Sequence, residues 1–131
     1  MIGSERHRTA PRPRLTGRRV LLVEDEAVLA LDLAGTLEAM GCTVVGPVAR
    51  LDQAMLVVDA EPLDLAILDI SIAGQLVFPV AERLAARAIP FVFLTGYDLD
   101  VLPAHLRERP ICRKPHALGR LLTALETALA R

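Results

Sequence analysis

The 131-residue chain predicts an α/β fold, a doubly wound parallel sheet with helices on both faces. Three observations carry that expectation: an aliphatic composition, short continuous apolar runs, and the alternation of those runs with segments of helical spacing. The chain is 53% hydrophobic but only 3% aromatic, with a mean hydropathy of +0.41. Such an interior of Leu, Val, Ile and Ala is what helices packed on a buried sheet require, and it excludes a disordered chain. The length suits one domain, so a catalytic domain joined to a separate output domain is not expected.

The first 17 residues combine Arg, Pro, Gly, Ser and Thr with almost nothing to bury, the composition of a solvated basic tail, so folded structure is expected over 18–131. RVLLVE (19–24) is a strand candidate, and DEAVLALDLAGTLEAMG (25–41) follows at helical spacing, stopped by Gly41. TVVGPV (43–48) reads as strand and LDQAMLVVDAE (51–61) as helix, closed by Pro62. LDLAILDI (63–70) is the third strand; a loop and the helical FPVAERLAARA (78–88) follow, with Pro79 in the first turn. PFVFLTG (90–96) is the fourth strand, and a reduced helix around Val101–Arg107 is expected, because Pro103 interrupts it. RPICRK (109–114) and HALGRLLTALETALAR (116–131) complete a fifth pair.

Five strands alternating with five helices over short connections give a parallel sheet with right-handed crossovers. The leading topology is the flavodoxin-like (βα)5 order 2-1-3-4-5, which places ligands at the carboxyl ends of strands 1 and 3. Those ends carry Glu24, Asp25, Glu26 and Asp69; strand 4 ends in Thr95 and strand 5 in Lys114. Carboxylates gathered at one point repel each other unless a cation sits among them, and oxygen ligands favour Mg2+ or a similar hard divalent ion. The plainer alternative, acids serving the first turn of the next helix, suits Glu26 but not Asp69, which no immediate helix follows. Lys114 is the one Lys beside fourteen Arg, a flexible point charge suited to a phosphoryl oxygen or a carboxylate. Thr95 offers a hydroxyl, and Gly96 leaves open space for an anion. Asp69 is then the natural nucleophile toward phosphorus, with the metal, Lys114 and Thr95 stabilising the added charge.

VLLVEDE (20–26), LAILDI (65–70), FVFLTGY (91–97) and CRKP (112–115) together resemble the receiver domains of two-component response regulators. The resemblance implies a phosphoacceptor Asp69 supplied by a sensor histidine kinase or a histidine phosphotransfer protein. It implies Asp25 and Asp69 as direct Mg2+ ligands, Glu24 acting through water, and the main-chain carbonyl of Ser71 completing the site. Thr95 and Lys114 match the family's switch hydroxyl and lysine, whose Lys-Pro bond is commonly cis, an expectation carried to Lys114-Pro115. The stretch 90–97 also resembles the FAT GUY subgroup of stand-alone receivers, with Leu94 where that motif has Ala.

The sequence departs from the family at Ile111, where a Tyr or Phe usually swings between buried and exposed positions; a β-branched aliphatic cannot do the same. Tyr97 is the only tyrosine and a candidate to take over that role, or simply a loop aromatic. Ser71 and Tyr97 occupy the positions that tune phosphate loss, and a bulky Tyr97 predicts slow loss. The loop 71–77 lacks the family's usual Met-Pro pair.

The expected function is that of a single-domain receiver signalling by contact with a downstream protein, with a homodimer as a further option and Ala117, Leu121 and Leu125 as contact candidates. The resemblance implies no enzyme in the turnover sense, only a phosphoacceptor that catalyses its own phosphorylation and dephosphorylation. The alternative is a receiver-fold adaptor that works without phosphorylation. A metal-dependent small-molecule phosphotransferase is a third option, yet the chain has little room for a substrate domain and no Gly-rich phosphate loop. Residues 1–19 carry six Arg against one Glu, leaving 20–131 at -6 of the net -1. That tail attracts phosphates in a salt-dependent way, yet without aromatics or a recognition helix it does not make nucleic acid the expected partner. No run suits a membrane span or a signal peptide, so a cytoplasmic location is expected. Cys42 and Cys112 then read as small core hydrophobes rather than a disulfide.

Overall fold

The computed structural model describes residues 14–96, 102–107, 109–113 and 118–130. In chain order the elements are β1 (Arg19–Val23), α1 (Ala27–Ala39), β2 (Thr43–Val48), α2 (Leu51–Ala60), β3 (Leu65–Asp69), β4 (Ser71–Ile72), β5 (Gln75–Leu76), α3 (Phe78–Ala86), β6 (Phe91–Thr95), a 3-10 turn (Ala104–Leu106), β7 (Ile111–Arg113) and α4 (Leu118–Leu129). The five long-range strands pair in parallel in the order β2-β1-β3-β6-β7, the predicted 2-1-3-4-5 arrangement. β4 and β5 pair only with each other, antiparallel.

The continuous apolar runs have a direct cause: every residue of β3 and β6 is buried, because each strand is covered on both faces. Alternate side chains divide the interior. Leu21, Val23, Ala66, Leu68, Phe91 and Phe93 pack under α2 and α3, where Phe93 meets Phe78 and Phe91 edge to face at 6.3 and 5.3 Å. Val20, Leu22, Leu65, Ile67, Val92 and Leu94 pack with Leu33 and Leu37 of α1 and Leu121 and Leu125 of α4. Leu121 and Leu125 are fully buried, so they are core residues and not contact residues. Cys42 and Cys112 are buried free thiols, held above their ordinary pKa by burial.

Three expectations change. Among the described residues, packing already includes Leu15, three residues before the expected start: Leu15 is fully buried, Gly17 N donates to Gly41 O at 2.8 Å, and the Cys42 thiol donates to Leu15 O at 3.3 Å. One apolar side chain among arginines finds a hole against the α1–β2 turn. Four α-helices, not five, are present among the described residues; between β6 and β7 a single 3-10 turn follows the extended Pro103. The loop after Asp69 folds back as the β4–β5 hairpin, because Ile70, Ile72 and Val77 all bury their side chains while Ala73 and Gly74, at φ 49° and 80°, make the tight reversal that suits a hairpin's twist. Residues 1–13, Tyr97, Lys114, Pro115 and Ala117 lie outside the described residues.

β2 carries a further irregularity. Leu21 pairs with Val45 but Val23 with Val48, so β2 holds one extra residue, a bulge at Gly46-Pro47. Gly46 has φ +109°, and a Cβ there would stand 2.8 Å from both Leu22 O and Val48 N. Only glycine fits.

Candidate functional site

The register of the sheet brings the strand ends together. Val23 lies beside Leu68, Asp69 beside Leu94, and Thr95 beside Arg113, so β1, β3, β6 and β7 finish along one edge. The β2 bulge serves this edge: after it, Val48 O accepts the Glu24 amide at 3.0 Å, fixing the backbone where β1 gives way to the acids. Glu24, Asp69 and Thr95 are the buried polar residues among the described ones, at 1%, 5% and 0% exposure. Water-free polar groups are costly unless they serve one another or a ligand, so their gathering at one spot marks the site.

Carboxylate oxygens of Glu24, Asp25 and Asp69 all lie within 4.8 Å of one another. Each carboxylate also takes a main-chain amide: Glu24 Oε2 from Glu26 at 3.0 Å, Asp25 Oδ2 from Ala73 at 2.7 Å, and Asp69 Oδ1 from Ser71 at 3.4 Å. Glu26 stands at the N-cap of α1, where an acid is favourable beside the helix dipole, although its side chain makes no capping bond. An all-oxygen, carboxylate-rich set is the donor chemistry of a hard divalent ion. Three carboxylate oxygens that lie this close to one another would be able to hold one such ion together. The residues present fit such an ion.

Of the other predicted residues, Ser71 opens β4, half-buried, and Gly96 is exposed with nothing within 4 Å of a Cβ built on it. Ile111 pairs with Phe93 and packs, half-buried, on the α2–α3 side of the sheet. Lys114 follows the last residue of β7 in sequence and, like Tyr97, lies outside the described residues. The sequence reading missed the Ala73 amide. Its signal was the Ala73-Gly74 pair between Ser71-Ile72 and Gln75-Leu76, weak because Ala is a poor residue for a left-handed turn position. Beside the hairpin, Arg50 and Asp52 form an exposed ion pair, and that guanidinium, with the Gln53 amide, holds the Asp52 carboxyl below its ordinary value.

No protein-family model matches the chain. The transcriptional regulatory protein PdtaR of Mycobacterium tuberculosis is 30% identical over 118 residues, 87% of this chain and 58% of PdtaR. The chain thus spans a little over half the length of that curated relative. SdrG from Sphingomonas melonis Fr1 is 39% identical, with 89% of this chain and 98% of SdrG superposed at a TM-score of 0.77. SdrG from Pseudomonas melonis Fr1 in its BeF3-activated conformation is 40% identical at a TM-score of 0.71, over 85% and 95% of the two chains. The signal receiver domain of a modulated diguanylate cyclase from Desulfovibrio desulfuricans G20 is 29% identical at a TM-score of 0.76, over 87% and 94%. With an acidic edge at the switch point of a 2-1-3-4-5 sheet, and relatives that match nearly end to end, the chain belongs to the response regulator receiver family of two-component signalling.

Proposed function

We propose that this receiver accepts a phosphoryl group on Asp69 from a sensor histidine kinase or a histidine phosphotransfer protein, and passes the signal by contact with a downstream protein. The observation that carries the reading is the convergence of Glu24, Asp25 and Asp69 within 4.8 Å beside the buried Thr95. One Asp69 carboxylate oxygen forms the new O–P bond while the P–N bond to the donor imidazole breaks; the electron pair stays on the imidazole nitrogen, which takes up a proton. Glu24, Asp25, Asp69 and the main-chain carbonyl of Ser71 are the groups that would hold Mg2+. When bound, that ion offsets the charge a phosphoryl group adds to a site already carrying three carboxylates. Thr95 donates its hydroxyl to a phosphoryl oxygen, Lys114 supplies a compensating ammonium, and Gly96 leaves the approach open. The BeF3-activated form of the 40% identical SdrG supports the reading, since beryllium trifluoride is a tetrahedral stand-in for a phosphoryl group.

Protein contact suits the surface around the site. Val28 and Leu31, in the first turns of α1 after Asp25, and Leu76 on the hairpin are exposed at 81%, 69% and 50%, apolar area that a phosphodonor protein would cover. No helix among the described residues is long and apolar enough to cross a membrane, and a cytoplasmic location forms part of the proposal.

The test is mass spectrometry after exposure to acetyl phosphate and Mg2+, then to a phosphorylated phosphotransfer protein, beside an Asp69→Ala control. An adduct of about +80 Da, labile to hydroxylamine and absent from the control, is expected. Ile111 in place of the mobile aromatic favours the second reading, an adaptor indifferent to phosphate, and absence of the adduct with both donors would establish it over the first.

A further inference from the structure

The geometry points to the β4–β5 hairpin as a positioning device for Asp25: the Ala73 amide holds one carboxylate oxygen and so presents the other to the metal, setting how tightly the site binds Mg2+. This rests on the metal-dependent reading above and adds to it a role for a turn that carries no ligand side chain.

The hairpin is well supported. Ile70, Ile72 and Val77 are fully buried, Val77 N donates to Ile70 O at 2.8 Å, and Ile70 N reaches Leu94 O at 3.3 Å, tying its base to β6. From that base, one three-residue stretch touches two of the three acids. Its first residue offers the Ser71 amide to Asp69 Oδ1 at 3.4 Å, and its tip offers the Ala73 amide to Asp25 Oδ2 at 2.7 Å.

Asp25 needs such a hold because it is the exposed member of the cluster, and an exposed aspartate otherwise samples several rotamers. A charge-assisted bond from a rigid amide removes that freedom before the ion arrives and eases repulsion from Glu24 and Asp69. The Ala73 amide has no competing use, since the two-residue turn closes through Ile72 and Gln75. The choice of Ala fits as well. Asn or Asp would suit φ 49° better, but either would bring another oxygen up to Asp25.

The experiment replaces Ala73 with its α-hydroxy acid in the full chain, turning the amide into an ester that lacks only the N–H, and compares it with wild type and Ala73→Gly. Mg2+ affinity is read by titration calorimetry and fold by circular dichroism. The expected result is about tenfold weaker Mg2+ binding in the ester, the usual effect of losing a group that orients a metal ligand, with Ala73→Gly close to wild type and an unchanged spectrum. Amide exchange at residue 73 in metal-free protein should be slow in wild type and fast in Asp25→Ala. Ester affinity within about twofold of wild type would overturn the proposal. Wild-type protein that binds no Mg2+ would overturn the metal reading beneath it, while failure of Asp69 to accept phosphate with the ester effect intact would remove the phosphoacceptor function and leave the positioning role standing.

Discussion

Replacing Gly46 by Ala probes the bulge that sets the acidic edge. Two penalties act together. At φ +109° an L side chain is held in a region it rarely adopts, which costs about 1–3 kcal/mol. The new Cβ would also stand 2.8 Å from Leu22 O and from Val48 N, backbone atoms that cannot swing aside, and overpacking of that kind costs about 1–3 kcal/mol more. We expect a loss of about 3 kcal/mol or more, a large share of the roughly 5–15 kcal/mol that holds a domain together. With a urea dependence of about 1–3 kcal/mol per molar, the unfolding midpoint should fall by about 1–3 M. The internal control is Gly35→Ala, inside α1 with nothing within 4 Å of its Cβ, which should stabilise by about 0.5–1 kcal/mol. If Gly46→Ala loses less than about 1 kcal/mol, the bulge yields easily and its role in fixing Glu24 is refuted.

Further expectations follow from other contacts. Leu15→Ala should cost about 2–4 kcal/mol in urea unfolding, as for a core leucine, whereas a tail residue would cost nothing measurable. Burial holds Cys42 above its ordinary value of 9.0, and Cys112 likewise against a smaller opposing effect of Arg120, so an aromatic disulfide reagent at pH 8 should label neither thiol rapidly until denaturant is added. The Asp52 carboxyl should titrate below 3.8 by carbon-13 NMR, and Arg50→Gln should raise its midpoint. Since the folded value is the depressed one, whatever stability the pair adds is present above pH 3.8 and fades as pH falls through the lower folded value. A wild-type midpoint at or above 3.8 would contradict the contact.

The parallel strands were legible because burial on both faces leaves a mark composition cannot hide: LAILD and FVFLT are apolar up to their last residues, and those residues, Asp69 and Thr95, then stand out. The acids could be placed because topology alone puts strand ends at one edge. What the sequence concealed depends on single residues without periodicity. Leu15 is one apolar side chain in an arginine-rich stretch, and nothing local says that it finds a pocket. Gly46-Pro47 reads as strand interior, although that dipeptide inside a strand is a bulge signal. The helical pattern that starts at Asp25 in the sequence becomes α1 only at Ala27, after an extended Glu26, and the Asp25 carboxylate instead accepts the Ala73 amide, 48 residues away in the chain.

The interruption of β2 also governs how copies of this chain can meet. β2 is an outer strand, and outer strands invite a neighbour's strand to join. Pro47 has no amide to offer, and the turn at Gly46 breaks the edge after Thr43–Val45, so an incoming strand would find three regular residues and then nothing to match. The opposite edge, β7, shows three strand residues among the described ones. Sheet extension across β2 is thereby confined to its first three residues, a local barrier against edge-to-edge growth in a chain this rich in Val, Leu and Ile.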